Sequence, residues 1–249
     1  MKIIKVKYLT YLICAIICCG CDGELKMPVY FNGKSSEDLF EDEQEATLAD
    51  AAAKGKTEII NRLVKEGVNV NATGIKNLTP LMWSLCKRNI KGFKCLLENG
   101  ADPDIQLDGD TSVVSWAAMA SNPYYLKLAL KHGGNPNLEN PKNKRTPLFE
   151  SVMYLDSIKH LEILLDAGAD INHQDKCGET VLHVAAGQDH YNLIYYLIEK
   201  GADPTIKDIW GYTLVYSIEG QLIDPNSEQA KYRLKVVEQL LKRGMKVKP

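Results

Sequence analysis

The fold class this sequence predicts is an all-α stack of about six helix–turn–helix repeats joined by hairpin-like loops. Three observations carry that prediction. A short signature, Gly followed by three positions and then Asn or Asp, reads GVNVN at 67–71, GADPD at 100–104, GGNPN at 133–137 and GADIN at 168–172, with Thr in the last place of GADPT at 201–205 and a degenerate GMKVK at 244–248. The leading glycines lie 33, 33, 35, 33 and 43 residues apart. A fixed period near this length means stacked supersecondary units, none of which buries its apolar face alone. Thirdly, an apolar stripe at helical spacing precedes each glycine. Such stacks are built to bind macromolecules.

The fifth repeat shows how each part arises. It runs DKCGETVLHVAAGQDHYNLIYYLIEKGADPT from Asp175 to Thr205. Asp175 and Gly178 suit a tight loop turn. Thr180 starts the first helix with a hydroxyl that takes up free backbone N–H groups. His183 has ring nitrogens placed to tie neighbouring loops together, and Ala185 and Ala186 are small where two helices press together. The second helix runs roughly over 192–200, with Ile194, Leu197 and Ile198 on one stripe. Gly201 ends it, and Pro204 keeps the exit extended.

The same register fits the other copies. The second has Thr79-Pro80-Leu81-Met82, then Phe93, Leu96 and Leu97; the fourth has Thr146-Pro147-Leu148-Phe149, then Leu161, Leu164 and Leu165. The first begins at Ala51-Ala52 and continues through Ile60, Leu63 and Val64. The third is weaker, with Ser112-Val113-Val114-Ser115 at the helix start. The sixth has Asp208, Gly211 and Thr213, an insertion near 221–229, and a stripe of Val237, Leu240 and Leu241. The period and the Thr-Pro-Leu-His-x-Ala pattern resemble the ankyrin repeat. The resemblance covers residues 46–249 and implies an ankyrin solenoid used for protein–protein interaction.

Ahead of the repeats, Lys2, Lys5 and Lys7 precede an apolar run from Tyr8 to Ile17, which ends in Cys18-Cys19-Gly20-Cys21. A basic start, a short apolar stretch and a small residue before the cut make residues 1–20 a signal peptide. The run is short for a membrane span, which speaks against an uncleaved anchor. The segment resembles a bacterial lipobox, which implies lipidation of Cys21, although Cys18 stands where that pattern prefers Leu. Asp22 resembles the signal that retains enteric lipoproteins in the inner membrane, so a lipid-anchored, periplasm-facing protein of the cell envelope is expected, with the outer membrane as the other possibility. Residues 21–45, with six acids between Glu37 and Glu45, read as an acidic tether.

Composition excludes several classes. Basic and acidic side chains number 30 and 32, and three of the basic ones fall in the signal. No basic stripe is interleaved with aromatics, so nucleic acid is not an expected partner. The body keeps Cys86, Cys95 and Cys177, an odd number without CxxC spacing, which reads as free thiols. The histidines form no metal-binding motif, and there is no nucleophile elbow or phosphate loop. Asp108-Gly109-Asp110 lacks the rest of a calcium loop and reads as the third repeat's turn. No catalytic residues, metal site or cofactor are expected.

A partner is expected at the loop tips and on the open side of each first helix, the positions the stack does not consume. Candidate contacts at the tips are Lys144, Lys176, Cys177, Ile209, Trp210 and Tyr212, and on the first helices Lys87, Met119 and Tyr154. Trp83 and Trp116 share one slot before the small pair, where a ring serves both packing and contact. An envelope ankyrin lipoprotein without a catalytic site resembles immunity lipoproteins of type VI secretion phospholipase effectors. That likeness implies a non-catalytic protein that binds and occludes a lipase toxin. The alternative is an accessory protein that supports a resident periplasmic enzyme such as a catalase.

Overall fold

Helices of this length are marginal on their own, so their ends must be fixed locally and their apolar faces covered by neighbours. The computed structural model describes residues 31, 33–107, 111–219, 221 and 223–247. The signal peptide, Cys21 and the turn at 108–110 lie outside the described residues. The chain forms two units, Met1–Lys142 and Asn143–Pro249. The first holds α1 (Glu43–Lys54), α2 (Thr57–Lys65), α3 (Pro80–Cys86), α4 (Ile90–Glu98), α5 (Val113–Met119) and α6 (Pro123–Lys131). The second holds α7 (Pro147–Tyr154), α8 (Ile158–Asp166), α9 (Val181–Gly187), α10 (Tyr191–Glu199), α11 (Leu214–Ile218) and α12 (Glu228–Lys242).

From the second repeat onward each first helix follows a Ser or Thr, at Thr79, Ser112, Thr146, Thr180 and Thr213. Thr79 Oγ1 accepts from the Met82 N–H at 3.1 Å, and Ser112 Oγ accepts from Ser115 at 3.2 Å, so the weaker third repeat is capped in the same way. In the fifth repeat His183 Nδ1 accepts from the Thr180 N–H at 3.1 Å and forms a capping box. Phe149 replaces that histidine in the fourth repeat, and the Thr146 hydroxyl is left buried without a hydrogen-bond partner. Phe149 instead meets the His173 ring edge-on, with centroids 6.0 Å apart.

In the first unit α3 packs on α1 and α5, while α4 packs on α2 and α6; in the second α9 packs on α7 and α11, and α10 on α12. Trp83, Phe93 and Met82 fill the first core, and Phe149 and Tyr191 the second. The α1–α4 approach is so close that a Cβ at Gly92 would lie 1.9 Å from the Ala52 carbonyl oxygen.

Two expectations are corrected here. The acidic tether expected over 21–45 is folded in its described part: Phe31, Leu39 and Phe40 are buried, and Leu39 O accepts from the Ile75 N–H at 2.8 Å. These three apolar side chains give the segment a face to bury, while Glu37, Asp38 and Glu41 stay exposed. Asp42 caps α1 through Gln44 and Glu45, and the acids gather at the positive end of that helix. On α12 the buried side is Val236, Gln239 and Leu240; of the expected stripe Leu240 is buried, while Val237 is half-buried and Leu241 exposed. The face in contact with α10 decides which residues are covered, and it is rotated from the one that the spacing suggests.

The signature has a mechanical meaning. Its leading glycine has φ between +76° and +98° in all six copies, a left-handed conformation that closes the second helix. The next N–H returns into that helix, as Ala101 does to Leu96 O at 3.0 Å and Ala202 to Leu197 O at 2.9 Å. The third residue then bends the loop with its own side chain: Asn69, Asp102, Asn135, Asp170 and Asp203 accept from the N–H two positions on, at 2.8–3.0 Å. In three copies the fifth residue reaches the following repeat. Asn71 accepts from the Asp102 N–H at 2.8 Å, Asp104 from Asn135 at 2.9 Å, and Asn172 from Asp203 at 2.8 Å.

Asp104 is a charged member of this relay. Burial pushes its carboxyl above the ordinary 3.8, the Asn135 N–H opposes the rise, and Asp102 adds to it. A carboxyl raised on folding stabilises the fold less once pH climbs through the folded value. Asp104→Asn keeps an acceptor for Asn135 and removes the charge. We expect a gain of about 0.5 kcal/mol at neutral pH, kept small by solvent screening. The gain should vanish near pH 3, below the unfolded pKa of about 3.9, where wild-type Asp104 is also neutral. Urea titrations at both pH values test this; a loss of stability at neutral pH would show that the ion is needed.

Candidate functional site

The sixth repeat's loop is built around one carboxylate. Asp208 Oδ1 accepts from the N–H groups of Trp210 and Tyr212, both at 2.9 Å, and the Asp208 N–H donates to Tyr212 O at 2.9 Å. Gly211 has φ +83°, which closes the turn. Outside bonds hold this loop on the preceding repeat: the Ile209 N–H donates to Cys177 O at 3.1 Å, and His183 Nε2 meets Tyr212 O at 3.2 Å. With the backbone so occupied, three large side chains turn outward. Ile209, Trp210 and Tyr212 are 64%, 49% and 40% exposed. Tyr216, one turn into α11, stacks on Tyr212 with centroids 3.7 Å apart.

The fifth repeat's loop repeats the plan. Asp175 Oδ1 accepts from Cys177 at 2.8 Å and Glu179 at 3.0 Å, and the Lys176 N–H donates to Asn143 O at 2.8 Å. Beneath it lies a charge cluster that sequence reasoning missed. Arg145 Nε meets Asp175 Oδ2 at 3.0 Å, and another guanidinium nitrogen lies 3.6 Å from Glu179 Oε2, all three side chains being buried. Asp175 thus serves the turn with one oxygen and Arg145 with the other. The only hint in the sequence was an arginine directly before the Thr-Pro start.

Of the expected contact residues, Lys144 and Lys176 are exposed on loops and Cys177 is half-buried. Lys144 has φ +60°, and its carbonyl oxygen lies 2.7 Å from His173 Nε2. Tyr154 is half-buried at the end of α7. Lys87 is exposed at the end of α3, with its ammonium 4.2 Å above the Trp83 ring. Trp83, Trp116 and Met119 are corrected as contact residues: they are 1%, 6% and 6% exposed. Their slots face inward, because the small residues beside them let helices close over the rings. Tyr216 was missed; its signal was a second tyrosine one helical turn after Tyr212.

The family comparison agrees with this arrangement: the ankyrin-repeat profile matches residues 7–107, 114–208 and 154–248. The chain belongs to the ankyrin-repeat family. A solved ankyrin repeat domain from Acinetobacter baumannii superposes with a TM-score of 0.67 at 24% identity, over 81% of this chain and 100% of that one. Protein PhlB of Serratia liquefaciens is 34% identical over 148 residues, 59% of this chain and 64% of PhlB. An L-asparaginase of Dirofilaria immitis is 27% identical over 157 residues, 63% of this chain and 26% of that protein. The chain therefore spans less than two thirds of either relative's length.

In this ankyrin chain Cys86 and Cys95 are free thiols. Burial pushes the Cys86 thiol up to about 12, so it is not a thiolate at neutral pH. Among the described residues no group of three or more His, Cys, Asp or Glu could hold a metal ion. Nor is any described helix long and apolar enough to cross a membrane.

Removing one member of a buried ion cluster leaves the others uncompensated. Arg145→Ala should destabilise the fold by about 3–5 kcal/mol, read as a lowered urea midpoint. Neutralising the opposing side as well, with Asp175→Asn and Glu179→Gln, should recover part of that loss. A cost below about 1 kcal/mol for Arg145→Ala would reduce the cluster to surface-pair strength.

Proposed function

We propose that this ankyrin protein is a non-catalytic immunity lipoprotein, anchored through Cys21 and facing the periplasm, which binds a type VI secretion lipase toxin and occludes its active site. Ankyrin repeats supply the general part, a protein-binding scaffold. The observation that carries the contact assignment is the exposed cluster of Ile209, Trp210, Tyr212 and Tyr216, on and beside a loop whose N–H groups from Asp208 to Tyr212 all donate hydrogen bonds. Aromatic side chains in such positions dominate binding energies at interfaces, and a preorganised loop loses little freedom on binding. Occlusion is steric: a stable complex covering about 1,600 Å² in total would close a lipase cleft without chemistry from the inhibitor. Lys144, Lys176 and Cys177 lie on the neighbouring tips and belong to the same contact. Asp22 favours the inner membrane for the anchor.

The decisive experiment combines Trp210→Ala and Tyr212→Ala. Titration calorimetry against the lipase-like protein captured from the native envelope should show a Kd raised about 10- to 100-fold. The melting temperature should stay within about 2 °C, since neither side chain fills the core. Unchanged affinity removes this cluster from the interface, and capture of a resident periplasmic enzyme in place of a lipase overturns the immunity reading. The anchor has its own test: labelled palmitate should appear on the wild-type chain and disappear with Cys21→Ser. Normal processing of an unlabelled protein would refute it.

A further inference from the structure

Helix α12 carries an apolar strip and a cationic strip side by side on its outer surface. It packs on α10 through Val236, Gln239 and Leu240. Away from that contact, Leu234 and Leu241 are 69% and 54% exposed. Two turns apart, they share one face of the helix. Lys231, Lys235 and Lys242 occupy the adjoining strip, all exposed. The Lys235 ammonium lies 4.7 Å over the Tyr232 ring and 5.7 Å over Tyr195, with those rings 6.1 Å apart.

Charge sets this end of the chain apart. Across residues 228–247 six basic side chains (Lys231, Arg233, Lys235, Lys242, Arg243 and Lys246) meet two acids, Glu228 and Glu238, in a protein with 30 basic and 32 acidic residues overall. Glu238 is engaged by Lys242 at 2.8 Å. The exposed leucines of α12 thus stand among lysines.

Apolar and cationic strips together have a matching surface. An anionic bilayer offers phosphate oxygens to the ammonium groups and, a few ångströms deeper, the acyl boundary to the leucines. Tyrosine rings suit that boundary, and lysine stems extend along it with their charges kept in the headgroups. We infer that α12 docks in the plane of an anionic phospholipid surface through Leu234 and Leu241, with Lys231, Lys235 and Lys242 on the headgroups. This holds independently of the Cys21 anchor and of the partner bound by the aromatic loop.

Footprinting tests it on the full chain, because lysine labelling reads α12 separately from any other membrane contact. The protein is placed on vesicles of pure phosphatidylcholine, or of phosphatidylcholine with roughly one third phosphatidylglycerol, and acetylated with an amine-reactive reagent. Mass spectrometry then follows each lysine. Acetylation of Lys231, Lys235 and Lys242 should slow several-fold on the anionic vesicles only, while exposed Lys56 stays unchanged as the internal control. Protection should disappear in a Leu234→Ser/Leu241→Ser chain; both side chains are exposed, so the fold is retained, as circular dichroism would verify. Equal labelling on the two vesicle types overturns the inference. Protection that survives the serine substitutions overturns it too, because adsorption would not then use the apolar strip.

Discussion

Everything in this protein depends on how one repeat's loop is fixed to the next. Among the described residues the α-helices are between 5 and 15 residues long, and most have only two turns. Lengths like these do not persist in water without help. The signature supplies it in order: a left-handed glycine stops the helix, an Asx side chain bends the chain, and a second Asx oxygen takes an N–H of the following repeat. Within each unit that relay sets the spacing at which neighbouring helices meet. The packing of Phe93 or Ile194 is possible only once that spacing exists.

The same economy of bonds creates the candidate site. Asp208 and Asp175 each use a carboxylate oxygen to take up two N–H groups of their own loop, which fixes the turn without the other side chains. In the fifth repeat Arg145 and Glu179 turn the spare oxygen of Asp175 into a buried charge cluster, which gives the tips a rigid base. In the sixth the freed side chains are Ile209, Trp210 and Tyr212. Large rings held outward by a bonded backbone make a contact surface that is ready before the partner arrives. The insertion in this repeat is tied back as well: Gln221 reaches Tyr191 and the Ala186 carbonyl, and Gln229 exchanges hydrogen bonds with Asn192. It works as a brace on the fifth repeat.

The tryptophans show how far residue type alone can mislead. All three occupy plausible contact positions in the sequence, yet two are buried and only Trp210 is presented to solvent. Trp83 and Trp116 stand beside residues small enough for another helix to close over them. Trp116 is enclosed even though its indole N–H finds no partner. Filling the volume outweighs the unmade bond there.

The sequence by itself determined the repeat, its period, the helix caps and the glycine-ended second helices. Each of these is a local rule: a hydroxyl beside a helix start, a glycine where φ must be positive, an apolar residue every third or fourth position. The loop role of His183 was legible because it stands at the histidine of the Thr-Pro-Leu-His-x-Ala pattern. Tertiary structure decided the rest. It chose which face of α12 is covered, folded Phe31, Leu39 and Phe40 out of an acidic stretch, and brought Arg145 to Asp175 and Glu179 across 30 residues or more. Periodicity states that a helix has an apolar side, but the surface that meets it fixes which side chains are buried and which remain for a partner.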